Sequence, residues 1–258
     1  MDRATLLERY DREMRADPPE SSGVRFERAP ELVRELGTSA TVIYSHLTSA
    51  SAPAAIRGEA QRARELGVEL EWKAYEHDPP PELPLLLERA GFRAEEPETL
   101  VVLDLADRPI PPSADESVRV VEVKNLTTFE DAVRVSAVAS GPEGAATLKR
   151  FRDRLSDPTA RLFVAYLGDL PVSAGRLELS PGRAFAGLWG GGTVPEHRHR
   201  GIYRALVRAR VEVAQRRGYR FITVDALETS RPILERLGFL SLVRIHAWVR
   251  SPTGTPWP

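Results

Sequence analysis

A block of helix, strand, helix and Gly-Phe occurs twice in this 258-residue chain, and it limits the fold more than any other feature. In the first copy Glu59 to Leu66 ends at Gly67, Val68 to Tyr75 reads as a strand, and Leu86-Leu87-Glu88-Arg89-Ala90-Gly91-Phe92 follows. In the second, Glu212 to Arg217 ends at Gly218, Phe221 to Val224 is a short apolar strand, and Ile233-Leu234-Glu235-Arg236-Leu237-Gly238-Phe239 follows. A helix ending at glycine is common, because glycine accepts the left-handed angle that closes a last turn. Two blocks in the same order are not, and they predict tandem related domains of α/β class. Arg108-Pro109-Ile110-Pro111-Pro112-Ser113 separates them, and prolines disrupt both helix and ladder bonding. The expected division is 1–112 and 113–258.

Periodicity fills in the rest. Thr5 to Arg15 predicts a helix with Leu6, Leu7, Tyr10 and Met14 on one side. Phe26 to Gly37 predicts a short extended piece and then a helical one. Val42-Ile43-Tyr44 predicts a strand, Pro53 opens a helix that runs to Leu66, and Leu100 to Leu105 is a further strand. In the second half Val118 to Val123 predicts a strand, and Thr127 and Thr128 are candidate caps for a helix with Glu130 and Asp131 in its first turn. Leu162 to Leu167 and Pro171 to Leu179 flank Gly168-Asp169 as a hairpin, and Leu240 to Val249 supplies the last strand.

Composition narrows the function classes. Basic and acidic side chains balance, 36 against 37, so no nucleic-acid footprint or polybasic membrane patch is expected. The chain has no cysteine, which excludes disulfides, thiolate metal sites and a cysteine nucleophile. Met1-Asp2-Arg3-Ala4-Thr5 leads into a charged helix rather than an apolar signal segment, and no run approaches the ~20 apolar residues of a membrane span. A cytoplasmic monomer or homodimer, with no nucleic-acid or membrane partner, is the expectation.

Chemistry concentrates between Gly190 and Leu206. A strand (Phe185 to Leu188) enters, the turn Glu196-His197-Arg198-His199-Arg200-Gly201 crosses, and an amphipathic helix from Ile202 to Arg216 leaves. The first N–H groups of a helix lack intrahelical partners and its dipole makes that end partly positive. Gly201 lets an anion approach the main chain, while Arg198, Arg200 and Arg204 offer the forked donors that suit paired phosphate oxygens. His197 and His199 have no third ligand at suitable spacing, so no metal site is expected.

Arg198-His199-Arg200-Gly201-Ile202-Tyr203 resembles the coenzyme A loop of the GNAT acetyltransferases, Arg/Gln-x-x-Gly-x-Gly/Ala. Val194-Pro195-Glu196 is similar to the segment ahead of that loop, and the helix ending Leu237-Gly238-Phe239 is similar to a second family signature. The resemblance covers the C-terminal half well and the N-terminal half weakly. It implies two GNAT-like domains, each a mixed, mostly antiparallel sheet flanked by helices. Residues 1–112 would be the degenerate one, since Leu47 to Pro53 has neither arginine nor glycine in its turn. It also implies acetyl-CoA as co-substrate, no metal, and transfer of the acetyl group to an amine. The implied cofactor site is Gly192, Thr193, Val194, Arg198, His199, Arg200, Gly201, Ile202, Tyr203 and Arg204, with main-chain groups near Gly192 to Val194 alongside the pantetheine arm. Gly190-Gly191-Gly192 suits either a bulge that admits ligand or a merely loosened strand end.

This chain departs from the family pattern in three places. Tyr203 stands where the family has Gly or Ala. Leu227 and Leu234 stand where it often has an Asn and a proton-donating Tyr. No carboxylate lies in Phe185 to Trp189, so Glu178, Asp225 and Glu228 are the nearest candidate bases, with Tyr203 a candidate acid. Trp189 is a candidate wall of the acceptor site or a core residue, and His77-Asp78 reads as a turn before prolines. Two functions follow from the resemblance: an N-acetyltransferase for a small-molecule or protein amine, working by direct transfer in a ternary complex, or a non-catalytic acyl-CoA-binding scaffold that has lost turnover.

Overall fold

The computed structural model describes residues 1–20, 24–37, 39–106, 117–149, 151–152 and 155–253. The chain forms two compact units that are interleaved in sequence: Met1–Val101 with Asp225–Arg231 and Ser241–Pro258, and Val102–Val224 with Pro232–Leu240. The proline-rich linker expected at Arg108 to Ser113 lies outside the described residues.

The first unit begins with helix α1 (Arg3–Tyr10), capped by Asp2, which accepts from the Thr5 N–H at 3.0 Å. A π-helical turn, Asp11–Ala16, continues it. Strands β1 (Arg25–Ala29) and β2 (Leu32–Leu36) then form an antiparallel hairpin. This corrects the helical expectation for the end of Phe26 to Gly37. Leu32, Val33 and Leu36 have helical spacing, but cross-strand pairing with β3 (Ala40–Ser45) overrides a weak local preference. Helix α2 (Ala52–Leu66) ends at Gly67, whose φ of 68° closes the last turn. It connects β3 to the parallel strand β4 (Leu70–Tyr75), and α3 (Leu83–Arg89), the short strand β5 (Arg93–Ala94) and β6 (Glu98–Asp104) follow. Val42, Ile56, Trp72, Leu83 and Leu87 are almost fully buried and form the centre of this core.

The second unit opens with β7 (Val118–Glu122) and α4 (Leu126–Lys149), a pair of helices joined at Gly141 (φ 73°) ahead of Pro142. Its cap is Asn125, not Thr127 or Thr128: Asn125 Oδ1 accepts from the Thr128 N–H at 2.9 Å, so the helix starts ahead of both expected caps. Strands β8 (Ala160–Leu167), β9 (Leu170–Leu179) and β10 (Phe185–Thr193) run antiparallel beside β7. Helix α5 (Ile202–Arg216) then crosses to β11 (Phe221–Leu227), which pairs parallel with β10. The sheet is thus mixed and mostly antiparallel, with α4 and α5 both packed against β9 and β10. Helix α6 (Arg231–Arg236) ends at Gly238, φ 97°, and Phe239 is buried.

Strand β12 (Leu240–Arg250) belongs with the first unit. It pairs antiparallel with β4, from Ile245 opposite Tyr75 to Arg250 opposite Leu70, and with β5. Each unit therefore holds a hairpin strand, a helix and a parallel strand in the same order, then a short helix closed by Gly-Phe. Gly91 and Gly238 both have left-handed angles, φ 77° and 97°.

Candidate functional site

The loop between β10 and α5 takes its shape from two left-handed residues. His199 has φ 62° and Gly201 φ 80°. Gly201 occupies the N-cap position of α5 with no side-chain cap, so the amides of the first turn keep their donors for another partner. Arg198, Arg200 and Arg204 are exposed around that end. Arg198 Nε donates to the Thr193 carbonyl at 3.1 Å, and an Arg204 Nη lies 3.5 Å from where a Gly201 side chain would begin. Arg200 Nη1 is 3.3 Å from His197 Nδ1. Among the described residues none of the three arginines meets a carboxylate within ion-pair distance. An uncapped helix dipole, free N–H groups and unneutralised guanidinium groups make a donor set for a phosphorylated ligand.

The strand leading into this loop leaves one edge open. Strands β10 and β11 pair only from Phe185 opposite Phe221 to Gly187 opposite Thr223. Beyond Gly187 the β11 side of β10 has no paired strand among the described residues. On its other side β10 shifts register against β9 between Trp189 and Gly192, with Gly190 at φ 56°. The three glycines are therefore a bulge, and Gly190 and Gly191 are exposed. An open strand edge offers alternating N–H and C=O groups to an amide-bearing chain.

The two inner glycines of the bulge face opposite helices. A methyl group on Gly192 would sit 2.9 Å from Ala139 Cβ of α4, so its smallness is already required by packing. A methyl group on Gly191 would sit 3.1 Å from both Tyr203 Cε2 and Arg210 Nη2 of α5. Thr193 is buried and shares a 2.9 Å hydroxyl contact with Ser173, and Val194 donates its N–H to Val172 at 3.0 Å. Ile202 is buried in the core. Tyr203 packs under the bulge, and burial raises its phenol pKa. Of the ten expected cofactor residues, Arg198, His199, Arg200, Gly201 and Arg204 surround the open helix end. Gly192, Thr193 and Val194 lie at the end of β10, and Ile202 and Tyr203 support the turn from below.

Each of the three expected candidate bases is paired with a cationic side chain. Glu178 pairs with Arg176 two residues away on β9, at 3.3 Å, and exposed Glu228 pairs with Arg231 at 2.7 Å. Asp225 lies in the first unit, where its carboxylate accepts from Lys73 Nζ at 2.8 Å. Burial alone would lower the Lys73 pKa, but Asp225, Glu71 and Glu98 together hold it above its usual value. Burial also pushes the Glu98 carboxyl up to about 7 despite the pull of Lys73. Glu98 was not among the sequence candidates; its position in a strand next to apolar Leu100 to Leu103 was the available signal. Leu227 is partly exposed and Leu234 fully buried. His77 and Asp78 form a turn, with Asp78 held by Arg15 at 2.6 Å and His77 by Asp11 at 2.6 Å.

Arg210 is a second residue that was not among the sequence candidates. It is 1% exposed, on the face of α5 shared with Leu206 and Ala214. An arginine four residues from each of two apolar neighbours was the signal.

Residues 127–239 match the model of the acetyltransferase (GNAT) family. No curated protein sequence matches the chain. Its fold is similar to a GCN5-related N-acetyltransferase from Kribbella flavida, at TM-score 0.70 and 16% identity over 98% of this chain and 95% of that one. It is also similar to a functionally unknown conserved protein from Staphylococcus epidermidis, at TM-score 0.71 and 12% identity over 93% and 97%. A tandem GNAT protein from the clavulanic acid biosynthesis pathway aligns at TM-score 0.64 and 17% identity over 98% and 95%.

Proposed function

We propose that the chain, whose residues 127–239 match the model of the acetyltransferase (GNAT) family, is an acetyl-CoA-dependent N-acetyltransferase acting on a primary amine of a small molecule or a protein. The observation that carries this reading is the uncapped N-terminus of α5, with Gly201 in the left-handed region and Arg198, Arg200 and Arg204 around it. Those groups hold the diphosphate, and the open edge of β10 from Leu188 onward aligns the pantetheine amides. Acetyl-CoA supplies an activated acyl group with a thiol as leaving group. The protein's part is orientation of the two reactants in a ternary complex, which by itself accounts for much of the rate in such transfers.

Residues 1–112 are, on the same reading, a degenerate copy of the second half, since the turn before α2 carries Ser49, Ala50 and Ser51 in place of arginines and glycine.

The non-catalytic alternative rests on Leu234, which is fully buried where the family often places its acid. Calorimetry with acetyl-CoA and a thiol-release assay over a panel of amines separate the two. Binding with amine-stimulated release supports the enzyme; binding without release for any amine supports the scaffold. Gly201→Glu puts bulk and negative charge at the diphosphate position, and near-wild-type affinity in that variant would overturn the loop assignment.

A further inference from the structure

Among the described residues, buried Arg210 has no counter-ion. Its Nε donates to the Leu206 carbonyl at 3.1 Å and its Nη1 to the Arg176 carbonyl on β9 at 3.0 Å. Its Nη2 is buried and has no hydrogen-bond partner. The guanidinium fills the space left by two glycines. A methyl group on Gly175 would lie 2.7 Å from Nη1, and one on Gly191 would lie 3.1 Å from Nη2. The charges that act on it are Tyr203, which is neutral at physiological pH, and Arg176, which is cationic and repels it. The Arg176 side chain turns away to stack over Phe151 and pair with Glu178. Burial lowers the Arg210 pKa to about 10, which leaves it charged at neutral pH.

A buried cation with no anionic partner destabilises a fold, so its presence here is a cost that packing does not explain. Its position offers an explanation. Gly191 is exposed to solvent, and Nη2 lies directly behind it. A ligand seated on the bulge is therefore separated from a full positive charge by one layer of backbone. With no side chains on Gly175 or Gly191 to move it away, the charge is fixed in a region of low dielectric, where it acts strongly.

We propose that Arg210 is a positioning residue that polarises the acyl carbonyl of a thioester bound at the β10 bulge, acting through the glycine backbone as a fixed, unneutralised cation. This rests on the acyl-CoA reading above. The substrate feature it recognises is a carbonyl oxygen that gains negative charge during transfer.

The test uses the full chain with acetyl-CoA labelled with carbon-13 at the acyl carbonyl. In wild type the bound carbonyl stretch should move to lower wavenumber than in free acetyl-CoA. In Arg210→Met the shift should be lost and affinity for acetyl-CoA should fall by roughly tenfold or less, because most binding remains with the diphosphate loop. The ligand-free melting temperature of Arg210→Met should equal or exceed that of wild type, since an unpaired buried charge has been removed. Arg210→Lys should keep part of the shift. An unchanged stretch in Arg210→Met would overturn the proposal and leave the acyl-CoA reading standing. A large fall in ligand-free melting temperature, reversed by Arg210→Lys while the stretch stays the same in all three proteins, would assign Arg210 a structural role and also overturn it. No binding of acetyl-CoA to wild type would overturn both.

Discussion

Single side chains make the sharpest commitments in this molecule, and Lys73 and Glu98 are the clearest. Lys73 and Asp225 form a buried pair at 2.8 Å. Removing one partner strands the other, so Lys73→Met should destabilise by about 3–5 kcal/mol in urea unfolding. Glu98 has a folded pKa of about 7, above its ordinary value of 4.5, so the folded state binds more protons than the unfolded state between those limits. Stability should therefore fall as pH rises from 4.5 to 7, with the loss persisting above 7. Glu98→Gln should flatten that part of a melting-temperature profile. Gly175→Ala should destabilise by about 1–3 kcal/mol, because the added methyl meets the Arg210 guanidinium at 2.7 Å. Residue identity alone revealed the arginines of the loop, since three guanidinium groups around a glycine have few structural uses. It did not reveal Glu98 or Arg210, whose significance comes from neighbours distant in sequence. Nor did it show that Leu234, which stands where the family often has a Tyr, is fully buried, so that a tyrosine there would overpack the core.

At the scale of elements, legibility followed the strength of the local signal. Helix α5 was readable to its ends, because Gly201 opens it and an amphipathic stripe runs through it. The β8–β9 hairpin was readable from Gly168, which has the left-handed angle such a turn needs, φ 57°. The β1–β2 hairpin was not, because Leu32, Val33 and Leu36 satisfy a helical spacing and only pairing with β3 decides against it. The open edge of β10 was hinted at by three glycines but not derivable from them, since an unpaired edge is a property of two strands. Helix α4 gives the test at this scale. Gly141 joins its two parts at φ 73° and ψ −173°, a combination essentially confined to glycine that costs an L-residue roughly 1–3 kcal/mol. Gly141→Ala should lower stability by about that amount, measured by thermal unfolding.

For the whole molecule, the order of helix, strand and helix in each block was legible in sequence, while the pairing of the last strand was not. Nothing in Leu240 to Val249 announces that this strand completes the first unit by pairing with β4. Strand pairing at such separation depends on topology, which local patterning does not carry. Residues 1–106 expressed alone would lack both β12 and Asp225, leaving the β4 edge open and Lys73 unpaired. That fragment should be unfolded or aggregated by circular dichroism and sedimentation, whereas full-length protein should unfold cooperatively.

The late position of β12 also sets an order of events during synthesis. The ribosome makes β4 some 170 residues before the strand that covers its edge, and at ordinary elongation rates that interval is on the order of ten seconds or more. Through that time the nascent amino-terminal half carries an uncovered, sticky border, and a trailing segment of eleven residues acts as the latch that closes it.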